Sequence, residues 1–152
     1  MGASKTANAI MVAYNYKERG LNPIMLKPRG ENRDGEKIIK SRIGLSWECL
    51  YIDEIILDDI AATAEIVKIK KIDCIIVDEV QFATIRQIEV MQAIVEKCSI
   101  PVICYGLRED FLQRPFDASR ELCARADVIE ELKTVCWCGQ RAKCNARVNH
   151  TT

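Results

Sequence analysis

The sequence predicts an α/β fold, in which a parallel sheet carries helices on both faces. Short β-branched apolar runs alternate along the chain with longer helical patterns, and polar residues follow directly after three of those runs. Such alternation needs crossover connections, which produce a parallel sheet covered on both sides. Ligands of these sheets bind at the carboxyl ends of the strands. We therefore expect a functional site just after residues 26, 77 and 105.

The first part of the chain supplies one helix and one strand. Apolar residues recur at helical spacing over residues 6–19, and Gly20 ends that pattern. The apolar run over 24–26 is predicted as a strand, closed by Pro28 because proline lacks the N–H that a strand ladder needs. The stretch 29–37 contains two glycines and six charged residues, so it is predicted as an exposed loop.

The rest of the chain continues the alternation. The apolar segment over 47–52 is predicted as a strand, and residues 59–71 as a helix despite their β-branched residues. The run over 72–77 is the clearest strand, and the broad apolar face over 84–97 indicates a helix. The remaining predicted elements are a strand over 101–105, a helix over 118–125 and a strand over 127–132.

Composition narrows the classes of function. The 152 residues suit one domain of ordinary size, and 49% of them are apolar. Lys and Arg total 22, as do Asp and Glu, so the zero net charge excludes a nucleic-acid polymer or an acidic membrane bound by bulk charge. No apolar run is long enough to cross a bilayer, no signal segment opens the chain, and most of the eight cysteines interrupt apolar runs as reduced thiols do. We expect a soluble, cytoplasmic protein that binds a small ligand.

The N-terminal residues have part of the pattern of a phosphate-binding loop. Such a loop needs small residues whose backbone N–H groups surround phosphate oxygens, followed by a lysine and a hydroxyl residue. Lys5 and Thr6, at the start of the first predicted helix, fit the second half of this pattern. A preceding strand and a leading glycine are missing, and Ser4 stands where glycine is usual. The alternative interpretation is a solvated lysine beside an N-capping Thr6.

Two acidic residues follow the strand over 72–77. Asp78 at the strand end can hold Mg²⁺, and the adjacent Glu79 can act as a general base. The alternative is an acidic turn that only terminates the strand. The loop over 105–116 mixes aromatic and charged residues, so it could enclose a planar ligand between Phe82 and Phe111. The alternative is a surface loop whose own two phenylalanines anchor it to the core.

Cysteines near the C-terminus form a different pattern. Cys136 and Cys138 make one close pair, whereas a zinc site needs four ligands, usually from two pairs. Cys144 and His150 could complete a local site, although a histidine in a polar tail is ordinarily solvated.

Together these segments resemble the thymidine kinase family of the compact, zinc-containing type, over nearly the whole chain. The most specific match is Asp78-Glu79-Val80-Gln81-Phe82, which fits the family signature Asp-Glu-x-Gln-Phe. Further matches, in the family's order, lie at residues 2–6, 31–34 with 41–44, 105–116 and 132–147. The resemblance implies a P-loop, RecA-like α/β fold followed by the start of a small zinc-bearing lasso.

The same resemblance implies transfer of the γ-phosphoryl of ATP to the 5′-hydroxyl of thymidine. Lys5 would neutralise phosphate charge, Thr6 and Asp78 would bind Mg²⁺, and Glu79 would be the catalytic base. The family's ATP and Mg²⁺ contacts fall on Gly2, Ala3, Ser4, Lys5, Thr6, Arg33, Asp78, Glu79, Val80 and Gln81. Its thymidine pocket falls on Phe82, Leu107, Phe111 and Asn145, and its zinc ligands on Cys136 and Cys138.

The resemblance also implies how the chain is divided. Residues 1–132 would be a nucleotide-binding domain without the usual first strand, and 133–152 a partial zinc-bearing lasso, so we expect a chain truncated at both ends. A homotetramer is expected by the same resemblance. The alternatives are another P-loop kinase or ATPase, or a catalytically inert nucleotide-binding or zinc-stabilised module.

Overall fold

The structure, a computed structural model, describes residues 3–30, 37–107, 112–130 and 144–148. The helices are α1 (Ala3–Glu18), α2 (Ile52–Ile55), α3 (Ile60–Ile69), α4 (Ile85–Cys98) and α5 (Asp117–Arg125), and a 3₁₀ turn spans Val80–Phe82. The strands are β1 (Pro23–Lys27), β2 (Ile38–Lys40), β3 (Ser46–Glu48), β4 (Leu50–Tyr51), β5 (Cys74–Val77), β6 (Val102–Gly106), β7 (Val128–Glu130) and β8 (Cys144–Val148).

A six-stranded sheet has the order β4-β1-β5-β6-β8-β7, and its first four strands are parallel. Leu26 of β1 pairs with Val77 of β5, and Val77 in turn pairs with Cys104 of β6. The predicted α/β fold with a parallel sheet is therefore confirmed. The register also brings the ends of these three strands to one edge, as the sequence predicts.

The core lies on both faces of this sheet because strand side chains alternate with a period of two. In β5, Ile75 and Val77 pack into the larger apolar cluster, which is built with residues of α3, α4 and α5. Cys74 and Ile76 point to the opposite face and join the smaller cluster, built with residues of α1. All four are fully buried, so the predicted helices on both faces are confirmed.

The four longer helices form where their patterns predict them, with small differences at the ends. For α4 the boundary has a local cause, since the Thr84 hydroxyl accepts a hydrogen bond from Gln87 N and the Gln87 side chain accepts one from Thr84 N. This reciprocal capping satisfies two backbone donors that the first turn would otherwise leave without partners. The Asp59 carboxylate accepts in the same way from Ala61 N at the start of α3.

The predicted single strand over 47–52 is wrong, because this segment divides between two sheets. Residues Ser46–Glu48 pair antiparallel with β2, whereas Leu50–Tyr51 pair parallel with β1. A turn at Gly44 with φ of 92° reverses the chain between β2 and β3, a conformation that favours glycine. An apolar run in a sequence does not indicate whether its first and second parts pair with different strands.

The far side of the sheet also differs from a purely parallel one. The predicted strand near 127–132 forms as β7, but it pairs antiparallel with β8, which in turn pairs antiparallel with β6. Strand β8 was not predicted, because its Cys-Asn-Ala-Arg-Val sequence has neither a β-branched run nor clear alternation. The division at residue 132 stays a prediction, since most of 133–152 lies outside the described residues.

Within the part of the chain that the structure describes, none of the helices has the length and apolar character needed to cross a bilayer.

Candidate active site

The start of α1 and the end of β5 meet at the carboxyl edge of the sheet. The Thr6 hydroxyl donates a hydrogen bond to Asp78 Oδ2 at 3.1 Å, across 72 positions of sequence. Helix α1 reaches this point because its apolar face packs on β1, β5 and β6. The segments that the sequence places at a common phosphate and metal site are therefore in contact.

Lys5 is buried in the first turn of α1, with 6% of its surface exposed. The alternative interpretation of a solvated lysine is therefore wrong, and since the helix begins at Ala3, Thr6 lies inside it rather than at its cap. A cation is unfavourable at the positive end of a helix dipole. The same arrangement concentrates positive potential where an anionic phosphate would be stabilised.

Asp78 is a buried carboxyl whose protonation is strongly perturbed. Burial, followed by the neighbouring charge of Glu79, raises the pKa of Asp78 to about 6, and the Thr6 hydrogen bond and the Lys5 charge offset only part of this rise. Only 6% of the residue is exposed. Thr6 and Asp78 present hydroxyl and carboxylate oxygens, the donor type that Mg²⁺ prefers, so these residues fit the ion that the sequence predicts.

Glu79 has a left-handed backbone conformation, with φ of 54° and ψ of 41°, at the entrance to the 3₁₀ turn. This region is uncommon for residues other than glycine, and strain of this kind is concentrated at functional sites. The Glu79 carboxylate accepts a hydrogen bond from Gln81 Nε2 at 2.5 Å. The two acidic residues therefore have different hydrogen-bond donors: Thr6 donates to Asp78, and Gln81 donates to Glu79.

Gln81 and Leu107 connect the tips of β5 and β6. Leu107 N donates to Gln81 Oε1 at 3.1 Å, and the Leu107 carbonyl accepts from the Ser119 hydroxyl of α5 at 2.5 Å. Gln81 is buried, whereas Leu107 is half-buried at the edge of the site. Sequence reasoning assigned Gln81 to the nucleotide and did not find this connection, because the contact joins residues 26 positions apart.

Gly106 makes the close packing of these two tips possible. A Cβ atom at this position would lie 2.6 Å from Gln81 Oε1 and 2.8 Å from Val80 Cγ1. Contacts this short require the Gln81 and Val80 side chains to shift, and Gln81 N would also be close, at 3.2 Å. In the sequence, Gly106 follows the predicted strand over 101–105 and lies in the 105–116 segment that matches the family; the structure shows in addition that its lack of a side chain lets the two strand tips pack closely.

We expect Gly106→Ala to reduce stability and activity together. The added methyl group displaces Gln81 and Val80, which should lower the free energy of unfolding by about 1–3 kcal/mol. Urea denaturation and steady-state kinetics on one preparation measure both effects, and we expect kcat to fall about tenfold. A variant with wild-type stability and kcat would contradict the packing described here.

An exposed aromatic surface lies beside the strand tips. Phe82 is 57% exposed, and its ring meets that of Phe116 edge-to-face, with centroids 5.7 Å apart. Leu112 is also exposed. The sequence pairs Phe82 with Phe111 instead, and Phe111 lies outside the described residues.

A cationic group at the end of β1 is a further feature that the sequence reasoning missed. Lys27 is buried at 3% exposure, and its Nζ donates to the carbonyl of Ile38 at 3.0 Å. Nearby, Arg29 donates twice to Asp53 and its guanidinium lies 4.5 Å from the centre of the Tyr51 ring. Hydrogen bonding from Arg29 lowers the pKa of the Asp53 carboxyl. The signal was available, since a lysine ends an apolar strand here.

Several predicted site residues are not described. Gly2, Arg33, Phe111, Cys136 and Cys138 lie outside the described residues, so their roles stay predictions. Ala3 and Ser4 form the first turn of α1, and the backbone of Asn145 in β8 pairs with that of Tyr105. Across the described ranges, His, Cys, Asp and Glu side chains form no group of three or more that could hold a metal ion.

Comparison with known proteins identifies the family of this chain. The family model described as thymidine kinase matches residues 1–152. The chain is 40% identical over 151 residues to a thymidine kinase of Francisella tularensis, covering 99% of this chain and 76% of that protein. It is 41% identical over 149 residues to the thymidine kinase of Enterobacteria phage T4, covering 97% and 76%, and 39% identical over 150 residues to that of Haemophilus influenzae, covering 98% and 77%. Because the match extends over the whole chain, the protein belongs to the thymidine kinase family.

Proposed function

We propose that this chain transfers the γ-phosphoryl group of ATP to the 5′-hydroxyl of thymidine, giving ADP and thymidine monophosphate. Membership of the thymidine kinase family supports the enzyme class. The observation that carries the proposal is the hydrogen bond from Thr6 to Asp78, with buried Lys5 beside them. This contact joins the phosphate-binding part of the sequence to the acidic pair at the end of β5.

Each residue of the site has a distinct part in this reaction. Lys5, at the helix terminus, binds the β- and γ-phosphates and neutralises their charge. Thr6 and Asp78 would hold Mg²⁺, which would neutralise charge on the triphosphate. Glu79 accepts the proton of the thymidine 5′-hydroxyl. The 5′-oxygen then forms a bond to the γ-phosphorus of ATP, while the bond between the γ-phosphorus and the oxygen that leaves with ADP breaks. No covalent enzyme intermediate is needed, because positioning and charge neutralisation supply most of the rate.

The nucleoside site follows from the aromatic surface and the β6 tip. We assign the thymine ring to the region of Phe82 and Leu107, since an exposed aromatic ring beside a backbone edge suits a planar base. Phe111 and Asn145 belong to the same pocket by the family resemblance, and Arg33 to the transferring phosphate.

Three further features belong to the proposal. Structural zinc at Cys136 and Cys138 and a homotetrameric assembly follow from the family resemblance. A cytoplasmic location agrees with the cysteines, because Cys49, Cys74, Cys98, Cys104 and Cys123 are free thiols.

Radiolabelled thymidine incubated with the purified chain, ATP and Mg²⁺ tests the proposal. We expect labelled thymidine monophosphate to form, and Lys5→Met to lower kcat about 10²-fold because phosphate charge is no longer neutralised. Lys17→Met is the matched control, since Lys17 is an exposed lysine in the last turn of the same helix. ATP hydrolysis that thymidine does not stimulate would indicate an ATPase instead, and absence of both reactions would indicate an inert module.

A further inference from the structure

The side-chain amide of Gln81 has both of its ends engaged by groups of the protein. Its oxygen accepts from Leu107 N at 3.1 Å, and its nitrogen donates to the Glu79 carboxylate at 2.5 Å. A backbone N–H can only donate and a carboxylate accepts, so the two partners fix which end of the amide faces which neighbour. With 4% of the residue exposed, Gln81 has little surface left for a ligand.

The packing around this amide restricts it further. A Cβ atom on Gly106 would come within 2.6 Å of Gln81 Oε1, so the side chain fills space that only glycine leaves open. The 3₁₀ turn fixes its backbone, and Ala83 N donates to Val80 O at 2.9 Å to close that turn. Because the Gln81 side chain is already buried and held from several directions, orienting Glu79 costs it little additional conformational entropy.

The two partners of Gln81 lie in different parts of the proposed site. Glu79 is the proposed base, and Leu107 belongs to the proposed nucleoside pocket. Leu107 is held on its other side by the Ser119 hydroxyl, which donates to its carbonyl. The side-chain amide of Gln81 therefore connects Glu79, the proposed proton acceptor, to the backbone of Leu107 in the proposed nucleoside pocket.

We propose that Gln81 is a positioning residue that holds the Glu79 carboxylate for proton abstraction and ties it to the Leu107 tip of β6. This inference rests on the proposed function and extends it, because it assigns Gln81 a role through Glu79 rather than a contact with the nucleotide. The proton acceptor and the border of the nucleoside pocket then keep a fixed separation. A geometry of this kind matters because small misplacements of a catalytic group cost large factors in rate.

Two substitutions separate the two ends of the amide. Gln81→Glu keeps an oxygen for Leu107 N but places a carboxylate against Glu79, so we expect kcat to fall about 10–100-fold with the KM for thymidine changed less than about twofold. Gln81→Met removes both hydrogen bonds at similar volume, so we expect a comparable loss of kcat and a KM raised several-fold. Gln87→Glu is the matched control, since Gln87 is partly exposed and its side-chain oxygen only caps α4.

A double-mutant cycle with Glu79→Gln distinguishes positioning from a structural role. If Gln81 acts through Glu79, then Gln81→Met costs less than about threefold in kcat once Glu79 is already glutamine. Equal losses in the two backgrounds would overturn the inference, as would an increase in the KM for ATP alone. Thermal unfolding of each variant identifies any that fails to fold, and Gln81→Glu and Gln81→Met provide independent readings.

The wild-type chain in the same assay separates this inference from the proposed function. A wild type that neither binds thymidine by calorimetry nor phosphorylates it would remove the proposed function. A wild type that is active, combined with an additive cycle, would remove only the role of Gln81.

Discussion

Glu79→Gln is expected to lower kcat for thymidine phosphorylation by about 10³-fold, because general acid–base catalysis is worth about 10² to 10⁴ in rate. The substitution is nearly isosteric, and a glutamine oxygen still accepts a hydrogen bond from Gln81 Nε2. The geometry of the turn is therefore preserved while the ability to take a proton is lost. We expect the KM values for ATP and thymidine to change little.

Steady-state kinetics with labelled thymidine measure this effect, and Glu65→Gln supplies the control. Glu65 is an exposed residue of α3, away from the carboxyl edge of the sheet. A kcat within about threefold of wild type for Glu79→Gln would exclude Glu79 as the base. The nearby carboxyl of Asp78 would then be the next group to test.

Asp78→Asn is expected to abolish most of the activity while making the protein more stable at neutral pH. The loss of the carboxylate that we propose as a Mg²⁺ ligand should lower kcat about 10³-fold, since bound metal contributes several kcal/mol to such reactions. The gain in stability comes from burial. The folded protein disfavours the charged form of Asp78, and an asparagine oxygen can still accept the Thr6 hydrogen bond without carrying that charge.

The sign of the pH dependence follows from the raised pKa. A carboxyl with a pKa near 3.8 when unfolded and about 6 when folded binds its proton more tightly in the folded state. Its stabilising contribution is present below pH 3.8 and is lost as the pH rises through about 6. At pH 7–8 the ionised side chain therefore costs about 3 kcal/mol, which Asp78→Asn removes.

Thermal unfolding at two pH values checks this prediction. We expect Asp78→Asn to unfold about 5–10 °C above wild type at pH 7.5, and close to wild type at about pH 4. Asp58→Asn, at an exposed position, should show no such difference between the two pH values. An unchanged or lower unfolding temperature at pH 7.5 would mean that Asp78 is stabilised as a carboxylate in the folded protein.

The sequence predicts β5 and α4 because each of these segments has a clear period. Residues 74–77 are apolar at every position, as a strand covered on both faces requires, and residues 85–98 repeat apolar side chains at helical spacing. Strand β8 could not be found in this way. Its sequence has no strand period, and it forms by pairing with β7 and with the more distant β6, which ends at Gly106.

The candidate site likewise contains residues that the sequence identifies and contacts that it does not. Lys5, Thr6, Asp78 and Glu79 stand out in the sequence because phosphate and metal chemistry needs those residue types at strand and helix ends. The connection through Gln81 and the space left by Gly106 depend on distances between strand tips, which no local pattern records. The burial of Lys5 likewise depends on packing between elements, so no local pattern predicts it.

The placement of β8 has a consequence for how the protein is made. Because β8 lies between β6 and β7, the outer edge of β6 has no ladder partner until residues 144–148 have left the ribosome. A nascent chain that has synthesised β6 and β7 thus exposes an open strand edge, which is a template for pairing with other chains. Slow translation over this interval should therefore favour aggregation, and chaperone binding to stalled chains should be strongest there.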